Sequence, residues 1–136
     1  MPAVLGILET SLYVADLDRS EQFYRRIFGW PTKIGDDRMR ALAVAEDRIL
    51  LLFARGRSAA GDDTPRGRIP GHDGDGKLHV AFAVAEDAIG GWRKHLAEQG
   101  VEIISRVKPK QGGDSLYFRD PDGHLIELAT PSIWNL

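Results

Sequence analysis

Three side chains that can hold a divalent cation fall on one predicted sheet face of this 136-residue sequence: Glu9, His79 and Glu127. Glu9 and His79 begin two strand-like stretches that match at an offset of 70 residues, and Glu127 lies inside the apolar run 124–129. Because successive side chains of a strand point to opposite faces, the alternation places all three on the smaller, more polar face. Carboxylate oxygens and imidazole nitrogens suit zinc, iron, manganese, nickel or cobalt, and three protein ligands leave positions open for water and substrate.

Each of these residues also has a purely structural interpretation, which the spacing leaves open. Glu9 is explained equally well as a solvated residue at a strand start, and His79 as a hydrogen-bonded histidine within a sheet. Glu127 needs at least an ion pair, for example with Arg119, because an unpaired buried carboxylate is costly. The repeat relation between Glu9 and His79, and the face they share with Glu127, favour the metal site.

Two further side chains are candidates for a role beside the three possible ligands. Tyr117 falls on the same face, where it either donates a hydrogen bond to a substrate oxygen or simply fills space. His72, in the glycine-rich segment GHDGDGK, is either an acid, base or extra ligand, or a solvated loop histidine. No organic cofactor site is predicted, since the glycine pair at 112–113 is followed by no helix that could bind a phosphate.

The elements that must position these residues form two copies of a β-α-β-β-β pattern. Residues 9–16 and 79–86 alternate bulky apolar with small or polar residues, which is typical of strands. Helices are predicted over 18–28 and 87–99, with Asp16 or Asp18 and Glu86 or Asp87 at their starts. The remaining predicted strands span 32–34, 40–45, 48–54, 101–107, 114–119 and 124–130. The pattern predicts an α+β fold in which a cupped, mostly antiparallel sheet carries the helices on its outer face.

The chain length indicates a single domain, residues 1–136, built from module one (1–56), an inter-module loop (57–77) and module two (78–136). The segment 55–77 holds six glycines and two prolines and has no hydrophobic periodicity. A loop of this length is usually a functional lid or a disordered linker, and the sequence does not separate these two interpretations.

The composition excludes several classes of function. With 18 basic and 20 acidic residues, the net charge of -2 argues against a general nucleic-acid binder. The absence of cysteine excludes a disulfide scaffold and a cysteine-ligated zinc site. No apolar run approaches the roughly 20 residues that a membrane span requires, so we expect a cytoplasmic protein.

Three segments of the sequence resemble the vicinal oxygen chelate superfamily, which includes glyoxalase I, extradiol dioxygenases and bleomycin resistance proteins. They are LYVADLDRSEQFY at 12–24, HVAFAV at 79–84 and SLYFRDPDGHLIEL at 115–128. The resemblance covers the duplicated module, and the family's metal ligands match Glu9, His79 and Glu127. It implies a divalent-metal-dependent enzyme that chelates vicinal oxygens of a small substrate, with Tyr117 and Glu127 in catalytic roles.

The resemblance also narrows the class of reaction and suggests an oligomeric state. Extradiol dioxygenases usually present two histidines, whereas the first ligand position here is Glu9, so lyase or isomerase chemistry is favoured over dioxygenase chemistry. The alternative function is that of a metal-free, bleomycin-resistance-like protein that binds a small molecule without turnover. A homodimer is expected, since members with two modules per chain commonly pair.

Overall fold

The structure is a computed structural model that describes all 136 residues. The chain forms two compact units, residues 1–75 and 76–136. These units correspond to the two predicted modules, and nearly all of the predicted inter-module loop belongs to the first unit. The single-domain organisation stays a prediction.

The first unit is a four-stranded sheet with one helix and an additional hairpin. Its strand order is β1-β4-β3-β2, in which β1 runs parallel to β4 and the other pairs are antiparallel. The elements are β1 (Glu9–Val14), α1 (Leu17–Phe28), β2 (Thr32–Gly35), β3 (Met39–Ala45), β4 (Arg48–Ala54), β5 (Asp62–Thr64) and β6 (Gly67–Ile69).

Helix α1 begins and ends where the sequence signals place it. Of the two predicted caps, Asp16 is the one used: its backbone is extended and its carboxylate accepts a hydrogen bond from the Arg19 amide at 3.1 Å. The helix ends at Gly29, which adopts the left-handed conformation (φ 71°) and donates its N–H to the Arg25 carbonyl. Between these ends, α1 buries an apolar stripe consisting of Leu17, Phe23, Tyr24 and Ile27.

The second unit repeats the same topology. Its strand order is β7-β10-β9-β8, with β7 parallel to β10 and the other pairs antiparallel. The elements are β7 (His79–Ala83), a 3-10 turn (Glu86–Ala88), α2 (Ile89–Glu98), β8 (Ser105–Val107), β9 (Ser115–Arg119), β10 (Leu125–Ala129) and a final 3-10 turn (Pro131–Trp134).

The predicted α+β class and the duplicated β-α-β-β-β module are therefore confirmed. The face that the alternation assigned to the core is buried on β1, β9 and β10. Leu12 and Val14 of β1 are at most 2% exposed, and four residues of β9 and β10 are completely buried: Leu116, Phe118, Ile126 and Leu128. On β7, Val80 and Phe82 of the same predicted face are only partly buried.

Three predicted features differ from the structure. The segment 55–77 is not structureless, because β5 and β6 form a hairpin whose turn is closed by the Thr64 hydroxyl donating to the Gly67 carbonyl. The strand predicted over 101–107 is regular only over Ser105–Val107. Helix α2 lacks a side-chain cap, since it begins at Ile89 and its cap position is occupied by Ala88; the Glu86 carboxylate, a predicted cap, instead accepts a hydrogen bond from the Ser132 hydroxyl.

Neither α1 nor α2 is long and apolar enough to cross a lipid bilayer.

Candidate metal centre

Two of the three predicted ligands, His79 and Glu127, meet in the second unit. The parallel register of β7 and β10 pairs His79 with Leu125 and Ala81 with Glu127, so the two side chains share one face. His79 Nε2 lies 3.2 Å from Glu127 Oε2. The side chain of Glu127 is only 8% exposed, whereas that of His79 is 48% exposed. The carboxylate therefore sits inside the sheet face and the imidazole at its open edge.

The backbone fixes the orientation of the His79 ring. His79 Nδ1 lies 2.9 Å from the Leu125 carbonyl oxygen. Because a carbonyl can only accept a hydrogen bond, Nδ1 must carry the proton that it donates. A neutral His79 then has its lone pair on Nε2, directed at another acceptor, the Glu127 carboxylate. Such a contact is favourable only if a proton or a cation lies between the two atoms.

This donor pair fits a divalent cation. Metal-bound histidines usually donate their second ring N–H to a carbonyl or carboxylate, as His79 does to Leu125. Two donor atoms that share one ion lie about 3 Å apart, since zinc–nitrogen and zinc–oxygen bonds are each about 2.1 Å long. Imidazole and carboxylate suit zinc and the other first-row divalent metals. Two protein ligands leave positions for a third ligand, water and substrate.

Tyr117 completes the polar group around Glu127. It lies directly opposite Glu127 in the antiparallel pair of β9 and β10, close enough for the Glu127 carboxylate to raise the pKa of its hydroxyl. Its ring stacks on His79 with centroids 6.4 Å apart. Burial raises the pKa of Tyr117, and the Glu127 charge raises it further, against a smaller lowering by the Ser115 hydroxyl. The phenol therefore remains protonated at neutral pH and can donate.

Glu127 does not use the ion pair with Arg119 that the sequence left open. The Arg119 guanidinium instead donates to the Gly123 carbonyl at 3.0 Å, in the turn between β9 and β10. The titratable neighbour of Glu127 is His79. In the purely structural interpretation, His79 carries a proton on Nε2 and forms a salt bridge with Glu127. That proton would occupy the same Nε2 lone pair that a metal ion needs.

Glu9, the third predicted ligand, lies in the first unit. It is the exposed first residue of β1 and pairs with Ile49 of β4, as His79 pairs with Leu125. Neither unit by itself groups three or more His, Asp or Glu side chains that could hold a metal ion. The assignment of Glu9 as a ligand, and with it the complete ligand set, stays a prediction.

The corresponding sheet face of the first unit is apolar, which the sequence analysis missed. Its buried centre is formed by Ala41, Leu51 and Phe53, with Tyr13, Met39 and Ile49 packed at the edge. The registers place Leu51 where the second unit has Glu127, and Ala41 where it has Tyr117. The continuous apolar run 49–53 hides the period of two that reveals which side chains share a face.

His72, the candidate of the long loop, contacts this apolar face. Its Nδ1 lies 2.8 Å from the Tyr13 hydroxyl, and its ring meets that of Phe53 edge-on with centroids 4.6 Å apart. It lies in the first unit, whereas His79 and Glu127 lie in the second. The alternation of residue types along β1 predicts which sheet face Tyr13 occupies. A loop has no such alternation, so the position of His72 could not be predicted from the sequence.

The sequence was compared with protein families and with individual proteins. A model of the Glyoxalase/Bleomycin resistance protein/Dioxygenase superfamily matches residues 6–128. Metallothiol transferase FosB from Bacillus licheniformis is 30% identical over 133 residues, which cover 97% of this chain and 79% of that protein. Metallothiol transferase FosB from Staphylococcus saprophyticus is 36% identical over 131 residues, covering 96% and 80%.

The fold was compared with solved structures. The lactoylglutathione lyase from Agrobacterium tumefaciens superposes with a TM-score of 0.90 at 27% identity, covering 99% of this chain and 100% of that one. The duplicated module and the motifs at 12–24 and 115–128 fall within the matched region. The chain therefore belongs to the Glyoxalase/Bleomycin resistance protein/Dioxygenase superfamily.

Proposed function

We propose that this protein is a divalent-metal-dependent enzyme that acts on a small, oxygen-rich molecule. The observation that carries the proposal is the 3.2 Å contact between His79 Nε2 and the buried Glu127 carboxylate, with Nδ1 of the same ring held by the Leu125 carbonyl. His79 and Glu127 hold the ion, and Glu9 is the third ligand, because it occupies in module one the place that His79 occupies in module two. Zinc, iron, manganese, nickel and cobalt all suit this donor set.

When bound, a divalent cation supplies Lewis-acid polarisation of adjacent substrate oxygens and stabilises the negative charge that develops on them. The chain's own residues orient the substrate and supply protons. The Tyr117 phenol, protonated at neutral pH, can turn from Glu127 to donate to a substrate oxygen. Glu127 binds the ion, while the half-exposed His79 leaves that side of the pair accessible to solvent.

Lyase or isomerase chemistry is the preferred reaction class. The ligand set has one histidine, whereas extradiol dioxygenases usually have two. The names of the similar proteins, metallothiol transferase and lactoylglutathione lyase, both refer to a thiol or thioester. A thiol is therefore the first co-substrate to test in an activity assay. Thiol transfer is the second candidate reaction, after lyase or isomerase chemistry. The remaining alternative is a metal-free binding protein without turnover.

Metal binding by the purified full-length protein tests the proposal. We expect about one divalent ion per chain by elemental analysis after dialysis against manganese, zinc or cobalt. His79→Asn and Glu127→Gln should each weaken binding about 100-fold or more, and Glu9→Gln should weaken it as well. Glu46→Gln, in an exposed turn, is the matched control. A metal-free wild type, or full affinity in Glu127→Gln, would contradict the enzyme and support the binding protein.

Assembly as a homodimer belongs to the same proposal. The first eight residues form no regular structure and leave five large apolar side chains at least 65% exposed: Met1, Val4, Leu5, Ile7 and Leu8. Such a segment favours a partner chain that covers it. Sedimentation should give about twice the chain mass of 15.0 kDa at micromolar concentration, and a monomer mass would contradict the dimer. The cytoplasmic location stays a prediction.

A further inference from the structure

A polar group of a different kind lies on the apolar face of the first unit. Tyr13 of β1 stacks on Phe53 of β4 with ring centroids 5.9 Å apart, and His72 closes over both rings. The Tyr13 hydroxyl and His72 Nδ1 are 2.8 Å apart. None of these three side chains belongs to the candidate metal centre. We refer to the hydrogen-bonded residues as the Tyr13–His72 pair.

Backbone contacts on both sides hold His72 in this position. Its amide donates to the Ser58 carbonyl at 3.0 Å, and the next residue, Asp73, accepts a hydrogen bond from the Gly56 amide at 3.0 Å. Gly74 then passes so close to the Tyr13 ring that a Cβ atom there would lie 2.4 Å from it. The histidine is thus fixed by the loop backbone, which is the arrangement that a binding group requires.

The pair presents a defined hydrogen-bond donor. Burial, and the charge of Asp73 to a smaller extent, raise the pKa of Tyr13, so its hydroxyl keeps its proton at neutral pH and can donate to Nδ1. A neutral imidazole that accepts at Nδ1 carries its proton on Nε2. His72 is partly exposed, and its Nε2 makes no hydrogen bond. The imidazole therefore has one N–H donor, at Nε2, that is not hydrogen-bonded to any other group of the protein.

The same loop contains a second unused polar group. The Ser58 hydroxyl is buried, with the residue only 1% exposed, and has no hydrogen-bond partner. Most buried hydroxyls in proteins are hydrogen-bonded, so an unsatisfied one calls for an explanation such as a bound molecule. Ser58 is also the residue whose carbonyl anchors His72. Ser58 thus anchors the His72 loop and itself carries a hydroxyl that no other protein group satisfies.

We propose that Tyr13, Phe53 and His72 form a binding subsite for a carbonyl or carboxylate oxygen carried on an aromatic or branched apolar body. The oxygen accepts the hydrogen bond from His72 Nε2, and the apolar body packs against the partly exposed ring of Tyr13, which is itself stacked on the buried Phe53. The subsite contains no metal ligand, so it stands or falls independently of the proposed metal-dependent function.

Binding of 4-fluorobenzoate to the full-length protein, followed by fluorine NMR, tests the subsite. His72→Asn should weaken binding about ten-fold, which corresponds to the loss of one hydrogen bond to a charged acceptor. Tyr13→Phe should weaken it less, because the ring remains. Fluorobenzene, which lacks the carboxylate, should bind wild type and His72→Asn alike. His95→Asn, on α2 of the second unit, is the matched control and should bind 4-fluorobenzoate as wild type does.

Two outcomes would overturn the subsite. One is equal affinity for 4-fluorobenzoate in wild type and His72→Asn. The other is a nitrogen NMR spectrum that places the neutral His72 proton on Nδ1. The Glu127→Gln variant separates the two proposals. If it loses metal and keeps the probe, both proposals are supported. If it loses both, the probe binds at the metal centre and the separate subsite is wrong. A metal-free wild type that binds the probe through His72 leaves the subsite intact and removes the metal-dependent function.

Discussion

The two modules have the same strand order and register but opposite chemistry on corresponding faces. Position 127 in module two is a glutamate and its counterpart in module one is Leu51. Opposite these residues stand Tyr117 and Ala41. Module two therefore surrounds a buried carboxylate with a phenol and an imidazole, whereas module one buries an apolar cluster with one polar pair, Tyr13 and His72, at its edge.

This difference shows that the repeated backbone conserves positions and not functions. A carboxylate is stable at position 127 because His79 contacts it and Tyr117 stands opposite it. At Leu51 the position equivalent to Tyr117 is Ala41, and the position equivalent to His79 is Glu9. Exchanging residues between equivalent positions should therefore have very unequal effects.

Leu51→Glu should cause the largest loss of stability. It buries a carboxylate beside Ala41 and Phe53, with Ala41 in place of the Tyr117 phenol and Glu9 in place of the His79 imidazole, which should lower the free energy of unfolding by about 3–5 kcal/mol. Urea denaturation measures the effect. Leu51→Met, which nearly conserves volume, is the control and should cost less than about 1.5 kcal/mol. A Leu51→Glu variant as stable as wild type would mean that this face is hydrated.

The reverse exchange, Glu127→Leu, should change the stability of the metal-free protein by no more than about 1.5 kcal/mol. Replacing a buried charge by an apolar residue of similar volume is often neutral, and the half-exposed His79 keeps its contact with water. The same denaturation experiment gives the value. A loss of 3 kcal/mol or more would show that the His79–Glu127 contact is primarily a structural ion pair.

Two glycine substitutions should change the free energy of unfolding in opposite directions. Gly74→Ala places a Cβ against the Tyr13 ring and should lower the free energy of unfolding by about 1–2 kcal/mol. Gly91→Ala, in α2 of module two, meets no atom within 4 Å and should raise it by up to about 1 kcal/mol. Thermal unfolding compares the two. A neutral Gly74→Ala would show that the loop is not packed on Tyr13.

The smallest effects concern acid sensitivity. In module two, the Arg106 side chain is the main cause that lowers the pKa of Asp114, through hydrogen bonds of 2.6 and 3.0 Å. In module one, the pKa of Asp36 is lowered mainly by the backbone amide of Arg38. A depressed carboxyl pKa contributes stability above the unfolded value of about 4, and this contribution is lost as the pH falls through the lower folded value.

Arg106→Gln and Arg38→Gln should therefore respond differently to acid. The stability difference between wild type and Arg106→Gln should be constant above about pH 5 and should shrink as the pH falls below about 4. Arg38→Gln keeps the backbone amide, so its difference from wild type should depend less on pH in that window. Urea denaturation at pH 7, 5 and 3 makes the comparison. The same pH profile in both variants would contradict the assignment of these causes.

Much of the architecture could be predicted because its signals are local. The alternation in 9–14 and 79–83 gave the strands and their faces, and Asp16 and Gly29 marked the ends of α1. The meeting of His79 and Glu127 followed from the same alternation.

The rest depended on contacts that have no period in the sequence. The run 49–53 is apolar at every position, so the face shared by Leu51 and Phe53 could not be read from it. The β5–β6 hairpin and the position of His72 are set by side-chain and backbone hydrogen bonds of the loop, such as those of Thr64 and Ser58. Helix α2 begins without a side-chain cap because the 3-10 turn Glu86–Ala88 precedes it and places Ala88 at the cap position.

The carbonyl of Leu125 has a consequence for how this protein can evolve. It is a main-chain atom, so every amino acid at position 125 supplies the same acceptor to His79. Substitutions at position 125 can therefore reshape the face beside the imidazole while the tautomer of His79 stays fixed. The property is inherited with the pairing of β7 and β10, and a descendant with a new substrate need not rebuild it.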